Sequence, residues 1–460
     1  MRKYVVATIA TFLCTFGAIS PTTAIDVTDG QTNVVTKDAS TFGNVHAATW
    51  NTRATVDTSF IWVSQKRGAG KWSTKVKLGL VEWSPFANPQ VSVRPDGSIF
   101  VSWVSDEDVV YRELAANASV WSAVAVLPNS VISGTWNREL EVVSSGTSVT
   151  VAGTISTQQD GGFVTWTRQN NASDWVYSEI ADIRNDAVFG VCAKDIYQCG
   201  FSVGEIYLVS NESGNQVIAW QSWRAPDVKN YTLKNAVFAI FSARRASPND
   251  AWSTPERIDM MKFSTDPNSY SYFVEGLELT AGGKSAISWT RGLGNNPNTT
   301  NIQYSNAIGT DFAKVDSAAL NLGFGTDNSQ LVTIGEKIWA SYSYYAKESS
   351  DAVTRVGVVG ALSNSKVWAP SANQLAVELG VKNGFPALLS TKNDLAPKVL
   401  NISVRNADGV WSVPKAVVTL KFEIPSRFAV EVFTNNGKTV VATVGKKGQD
   451  WEMGLDLTVL

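Results

Sequence analysis

Residues 89–103 read Pro-Gln-Val-Ser-Val-Arg-Pro-Asp-Gly-Ser-Ile-Phe-Val-Ser-Trp, and Asp108-Val-Val-Tyr-Arg-Glu-Leu114 and Trp121-Ser-Ala-Val124 follow. Apolar residues alternate within each run, and Pro95-Asp96-Gly97 supplies turn chemistry between the first two. The block parses as four short strands over 89–95, 99–105, 108–114 and 121–127. Its phrases return along the chain. The second-strand phrase recurs as Gly214-Asn-Gln-Val-Ile-Ala-Trp220, Gly282-Gly-Lys-Ser-Ala-Ile-Ser-Trp289 and Gly437-Lys-Thr-Val-Val-Ala-Thr443. The last-strand phrase recurs as Trp72-Ser-Thr, Trp121-Ser-Ala, Trp252-Ser-Thr-Pro, Trp368-Ala-Pro and Trp411-Ser-Val-Pro, with weaker copies at Trp175 and Phe312.

A four-stranded unit recurring roughly every 50 residues is what a β-propeller blade requires. Solenoid units are shorter, and immunoglobulin-like domains need about seven strands and 100 residues each. No stretch holds a helical period. The expected fold is therefore all-β, a single propeller of seven or eight four-stranded blades. Seven last-strand anchors are visible, and Arg427–Leu460 adds at least three strands. A strand near Asn33–Lys37 completing that tail blade makes eight, the count expected here; a tail that completes the first blade makes seven.

The chain's beginning reads as an export signal over residues 1–24: Arg2 and Lys3, an apolar Val5–Ile19 stretch too short and Thr-interrupted to span a membrane, then Thr22-Thr23-Ala24. Residues 25–460 are then the propeller, secreted, with no membrane span. Without Arg2 and Lys3 the chain has 37 basic against 41 acidic residues, a net charge of −4. That balance lacks the basic footprint of a nucleic-acid partner and the polybasic patch that anionic lipid attracts. Cys192 and Cys199 are the two cysteines beyond the signal, and their spacing in an oxidising compartment points to a local disulfide.

Seventeen tryptophans invite a sugar-binding reading. Trp72, Trp121, Trp175, Trp252, Trp368 and Trp411 hold one place in each repeat, and Trp103, Trp220 and Trp289 end the second strand, so these nine are expected between blades as core. Outside that register stand Trp83 and Trp136, in connections entering the next first strand, with Tyr270 and Tyr272 in an equivalent connection. Such connections open onto the channel face. Trp136, Arg138 and Glu139 form the densest ligand-binding candidate there, and Glu82 and Trp83 extend it one blade earlier. Glu275, Asp327 and Arg427 also fall near starts of innermost strands.

The single histidine, His46, excludes a multi-His metal site and reads as a packed or surface strand residue. No phosphate loop, nucleophile elbow or zinc-protease helix motif occurs, so no catalytic residue, metal or cofactor is assigned. Asp106-Glu107-Asp108 lacks the alternate spacing of a calcium loop and reads as a solvated turn.

At the closing hairpins, Asn406-Ala-Asp408-Gly409-Val-Trp411 and Gly68-Ala-Gly70-Lys-Trp72, the chain resembles the secreted sialidase-like propellers, whose Asp-box turn reads Ser-x-Asp-x-Gly-x-x-Trp. Gly and Trp recur here, while the Ser and Asp are mostly replaced. The Phe-Arg-Ile-Pro element and the Tyr/Glu nucleophile pair of true sialidases have no matching positions. The resemblance implies the fold without the sialidase chemistry. Three function classes follow: an extracellular recognition module binding a glycan or protein, a glycoside hydrolase, and a structural or adhesive surface protein. Two carboxyls facing the channel about 5–10 Å apart, beside an aromatic platform, would mark the hydrolase.

Overall fold

The computed structural model describes the strands and most of their hairpins. Outside the described residues lie 1–21, 24, 27–33, 56–57, 83–87, 106–107, 130–139, 147, 156–161, 171, 181–185, 187–199, 226–235, 263–269, 294–298, 313, 317–325, 346–351, 369–373, 393–397, 421–429, 436–437 and 448–451. The strands form eight sheets in chain order, each built on four antiparallel strands, the blades of a propeller; one blade gains a short fifth strand. The innermost strands of blades 1 to 8 are Val34–Phe42, Gln90–Val93, Leu140–Ser144, Gly200–Ser210, Tyr270–Leu279, Thr326–Ile334, Gln374–Lys382 and Val430–Asn435. Each packs on the next around a closed circuit, the eighth against the first.

The repeat block that decides the fold sits in blade 2 as Gln90–Val93, Ile99–Ser105, Asp108–Leu114 and Ala125–Val126. Its last strand starts four residues later than the expected 121, because Trp121 turns into the core and Ser122 folds back on the third strand. The Ser122 backbone N–H donates to Glu113 O at 2.8 Å, and the Ser122 hydroxyl accepts from Glu113 N at 2.9 Å. Ser73, Ser253 and Ser412 repeat this double bond with Gln65, Arg244 and Val404. The Trp-Ser phrase is therefore a hairpin device: Ser fastens the corner and Trp enters the gap between blades.

The eighth blade is closed by the chain's beginning, but by a different segment from the one expected. Ile25–Asp26 pairs antiparallel with Leu457 and Asp456 as the fourth strand of blade 8. Val34–Phe42, which includes most of the expected closing strand, is instead the innermost strand of blade 1. The reason is length: Val34–Phe42 pairs along nearly its whole extent with Val45–Arg53, which a two-residue seam cannot match. Thr22–Thr23 adds a short parallel pairing to Val418–Thr419 at the edge of blade 7.

Interblade packing follows the tryptophan register with one correction. Trp72 packs between blades 8 and 1, Trp121 between 1 and 2, Trp175 between 2 and 3, Trp252 between 3 and 4, Phe312 between 4 and 5, and Trp411 between 6 and 7. In blade 6 that position belongs to Leu362, four residues before the outer strand Lys366–Trp368 and packed on Ala286 and Ile302 of blade 5. Trp368 ends that outer strand and fills the opposite interface, toward blade 7. Trp103, Trp220 and Trp289 are buried as expected, and so are Trp50 and Trp166. Arginines at the ends of third strands cap these aromatics: Arg168 over Trp175 at 4.8 Å and Arg245 over Trp252 at 4.5 Å. His46 is buried in the second strand of blade 1, its Nδ1 2.7 Å from the Thr41 hydroxyl, which decides for packed over surface. Tyr272 lies inside the innermost strand of blade 5 rather than in a connection, buried against Phe238.

Candidate functional site: the central channel

Every innermost strand of a propeller is a sheet edge, with backbone N–H and C=O groups that its own blade leaves unpaired. Here side chains from the neighbouring blade satisfy them. Asp38 Oδ2 accepts from Val91 N at 2.6 Å and Ser40 Oγ from Val93 N at 3.0 Å, tying blade 1 to blade 2. Glu275, on an inner-strand bulge, accepts from Thr290 Oγ1 at 2.6 Å and from Ser329 N at 2.8 Å, tying blade 5 to blade 6. Gln330 Oε1 accepts from Leu379 N at 2.7 Å while its Nε2 donates to Val377 O at 3.1 Å, tying 6 to 7. Thr439 of blade 8 accepts from Val381 N at 3.0 Å. The channel wall is a girdle of side-chain-to-backbone bolts.

Inside that girdle the channel opens into a hollow of about 650 Å³. It lies where the hairpins leave the innermost strands: Phe42, Gly146, Glu212, Ala281, Glu336 and Gly384 are among its lining residues. Hydroxyls line it at Ser40, Thr41, Ser92, Ser210, Thr333 and Thr434, and carboxyls at Asp38, Glu141, Glu212, Glu278 and Glu336. No Lys, Arg or His is among the described lining residues. Burial pushes the Asp38 carboxyl up to about 7, against the lowering pull of the Val91 N–H. Burial likewise pushes Glu278 up to about 7, opposed by its hydrogen bonds from Thr333.

Three further side chains converge on the channel from blades 7, 8 and 1. Lys37 Nζ lies 2.5 Å from Glu431 Oε1. Glu378, on a bulge of the blade 7 inner strand, interacts electrostatically with both. Blades 7 and 1 are not adjacent, so their side chains meet only in the channel. Burial holds the Glu378 carboxyl well above the usual carboxylate range; the Glu431 charge adds to this and Lys37 opposes it. Lys37 pairs with Glu431, and its charge acts on Glu378 from a distance.

Trp83, Trp136, Arg138 and Glu139, the candidates read from sequence, lie outside the described residues, as do Cys192, Cys199 and Arg427. The side chains of Glu82 and Asp327 do too. Glu275 is described, and it works as an interblade bolt. The residues the sequence reading missed carry a common sign: an acid between two apolar residues within a first strand. It appears as Leu140-Glu141-Val142, Leu277-Glu278-Leu279, Val377-Glu378-Leu379 and Val430-Glu431-Val432. The flanking apolar side chains enter the interblade core, and the acid between them points to the other side.

No family model and no curated protein matches this sequence. Solved structures similar to it include a polysaccharide lyase, the PL25 ulvan lyase bound to -[GlcA(1-4)Rha3S]-, at 10% identity over 87% of this chain and 94% of that one, TM-score 0.47. The polysaccharide lyase Uly1 matches at 12% identity over 96% and 90%, TM-score 0.48. The Penicillium chrysogenum α-L-arabinanase complexed with arabinobiose matches at 12% over 80% and 92%, TM-score 0.36. The assignment of the propeller rests on the strand pairing of this chain itself.

Proposed function

We propose that this chain is an exported, non-enzymatic recognition module that binds a glycan through its propeller channel. The observation that carries the reading is the hollow of about 650 Å³, lined by Ser, Thr, Asp and Glu among apolar residues of the innermost strands. Sugar hydroxyls both donate and accept, and a wall of Ser, Thr, Asp and Glu answers them at both ends. Rigid strands hold such groups in place before the ligand arrives, which lowers the entropic cost of binding. The resemblance of the closing hairpins to sialidase-like propellers is in keeping with a glycan. Asp38, Glu275 and Glu278 already accept hydrogen bonds from neighbouring blades, so these three serve the wall before any chemistry.

A glycoside hydrolase is the second reading, favoured by the Glu378–Glu431 pair. A carboxyl that burial holds protonated, with a second carboxyl acting on it, is what a general acid and its partner require. A glycan array combined with a hydrolysis screen on the purified chain separates the two. Retention of a glycan without reducing-end release supports recognition; turnover that is lost in Glu378→Gln overturns it in favour of the hydrolase. Replacing Trp136 and Arg138 together tests the candidates read from sequence: lost binding with intact folding moves the site to them, and undiminished binding leaves it in the described hollow.

A further inference from the structure

The outer strand of each blade leaves a row of backbone groups without a partner in its own sheet, and proteins commonly guard such edges with charge. The outer strands of seven blades follow that rule, with Lys77, Glu179, Lys314, Lys366 and Lys415 among the charged residues they carry. Blade 2 is the exception. Its outer strand is Ala125–Val126, and the chain around it holds no charged residue from Leu114 to Asn137, its longest uncharged run. The whole chain is nearly neutral, with 39 basic and 41 acidic residues, so two copies meet little long-range repulsion.

That edge is exposed, apolar and held in place. Val120, Val124 and Val126 are 77%, 50% and 54% exposed. Val126 lies opposite Val110, whose side chain enters the core between blades 1 and 2, so Val126 sits on the same face. Val76 of blade 1 lies opposite Val63 of that same core and is itself 40% exposed. The rim of the seam between blades 1 and 2 therefore carries valines from both sides. Arg112 fixes the corner: its Nε donates to Ser122 O at 2.6 Å and its Nη1 to Leu78 O of blade 1 at 3.0 Å. The Leu127 N–H donates inward to Val109 O at 2.9 Å, so the Val126 N–H beside it points away from the blade. An outward donor, exposed valines and a fixed corner make an edge ready to be paired.

We propose that this edge of blade 2 pairs with the same edge of a second copy, antiparallel, making a two-fold dimer whose sheet runs through both molecules. A two-fold axis sets each residue of such an edge against residues of that same edge. An edge bearing Lys415 or Glu179 would bring like charges together, which is destabilising. The uncharged valine edge meets itself without that cost, and the pairing covers Val120, Val124 and Val126. Strand addition at the rim already occurs in this fold, where Thr22–Thr23 pairs with Val418–Thr419 of blade 7. The channel lies at the opposite edge of the blade, along Gln90–Val93, so the dimer presents two open hollows in one assembly.

The test is analytical ultracentrifugation of the exported protein from about 1 to about 100 μM, read together with hydrogen exchange at the Val126 amide. The expected result is a concentration-dependent step from one chain to two, with that amide protected only where the dimer forms. Val124→Lys supplies the missing guard and is expected to raise the dissociation constant at least tenfold while leaving the thermal midpoint in place. Val126→Pro removes the outward donor at an edge position that Pro tolerates, and is expected to act alike. If that variant fails to fold, Val124→Lys and the exchange measurement still decide. Val410→Lys, on a comparably exposed valine of blade 7, is expected to change nothing. A monomer at every concentration overturns the inference. A dimer that survives both edge substitutions overturns it too, because another face then makes the contact, as does one that Val410→Lys disrupts as strongly.

Discussion

Arg245 offers the sharpest test of how neighbouring blades are joined. It is 5% exposed and rises from the third strand of blade 4. Its Nε donates to Gln216 Oε1 at 2.8 Å, and its Nη2 donates to Gln216 Oε1 at 2.6 Å and to Thr167 Oγ1 at 2.7 Å. A longer bond reaches Thr150 Oγ1 at 3.2 Å, and the guanidinium lies over Trp252 at 4.5 Å. Thr150 and Thr167 belong to blade 3, so one cation bolts two blades. Arg245→Met keeps the stem and removes the fork. Gln216 Oε1 and Thr167 Oγ1 then lose their donors, at about 1–3 kcal/mol for each buried orphan, and the stacking removed is worth about 1–2 kcal/mol. Against this, burial already presses the guanidinium from 12.5 down to about 10, and removing the charge returns roughly 3 kcal/mol of that penalty. These contributions bound the net loss at about 0–5 kcal/mol, with a middle value of about 2–3 kcal/mol. In a chain of this length the unfolding entropy is so large that the thermal midpoint falls by only about 1 °C per kcal/mol, so urea melting is the better assay. A double-mutant cycle with Trp252→Phe should show a coupling of about 0.5–2 kcal/mol. A loss below about 0.5 kcal/mol with strictly additive effects would refute the bolt.

The channel carboxyls should make stability depend on pH. Asp38 and Glu278 hold protons in the folded state up to about 7, so their contribution is fully present below the ordinary carboxylate value near 4 and is lost as the pH rises through about 7. The urea midpoint of an Asp38→Asn, Glu278→Gln variant should therefore be flatter between pH 5 and 8 than that of the unaltered protein; parallel profiles would show that the hollow solvates both groups fully. Asp96, held below its ordinary value by Ser98 and Arg94, acts only in stronger acid and does not blur this window. Intact-mass analysis of the exported protein before reduction should find no alkylatable thiol at Cys192 or Cys199, and two free thiols would dismiss the bridge.

The blade was readable in one dimension because its determinants are local. A hairpin is built from residues a few positions apart, so Trp121, Ser122 and Gly97 announce their roles wherever the phrase recurs. Even the exception in blade 6 is local in origin: the last-strand phrase there begins six residues late, and Leu362 takes the place that Trp fills elsewhere. The closing segment and the channel seam were of another kind. Lys37 and Glu431 stand 394 residues apart and meet because the ring closes. Nothing near Ile25–Asp26 in the chain names Leu457 as its partner either. An acid between two apolar residues marks a side chain that leaves the core, but which acids face one another depends on the number of blades and the tilt at which they pack. That is why Glu378 reads in sequence as an ordinary strand residue, and why only the closed ring sets it beside a second carboxyl and a single ammonium.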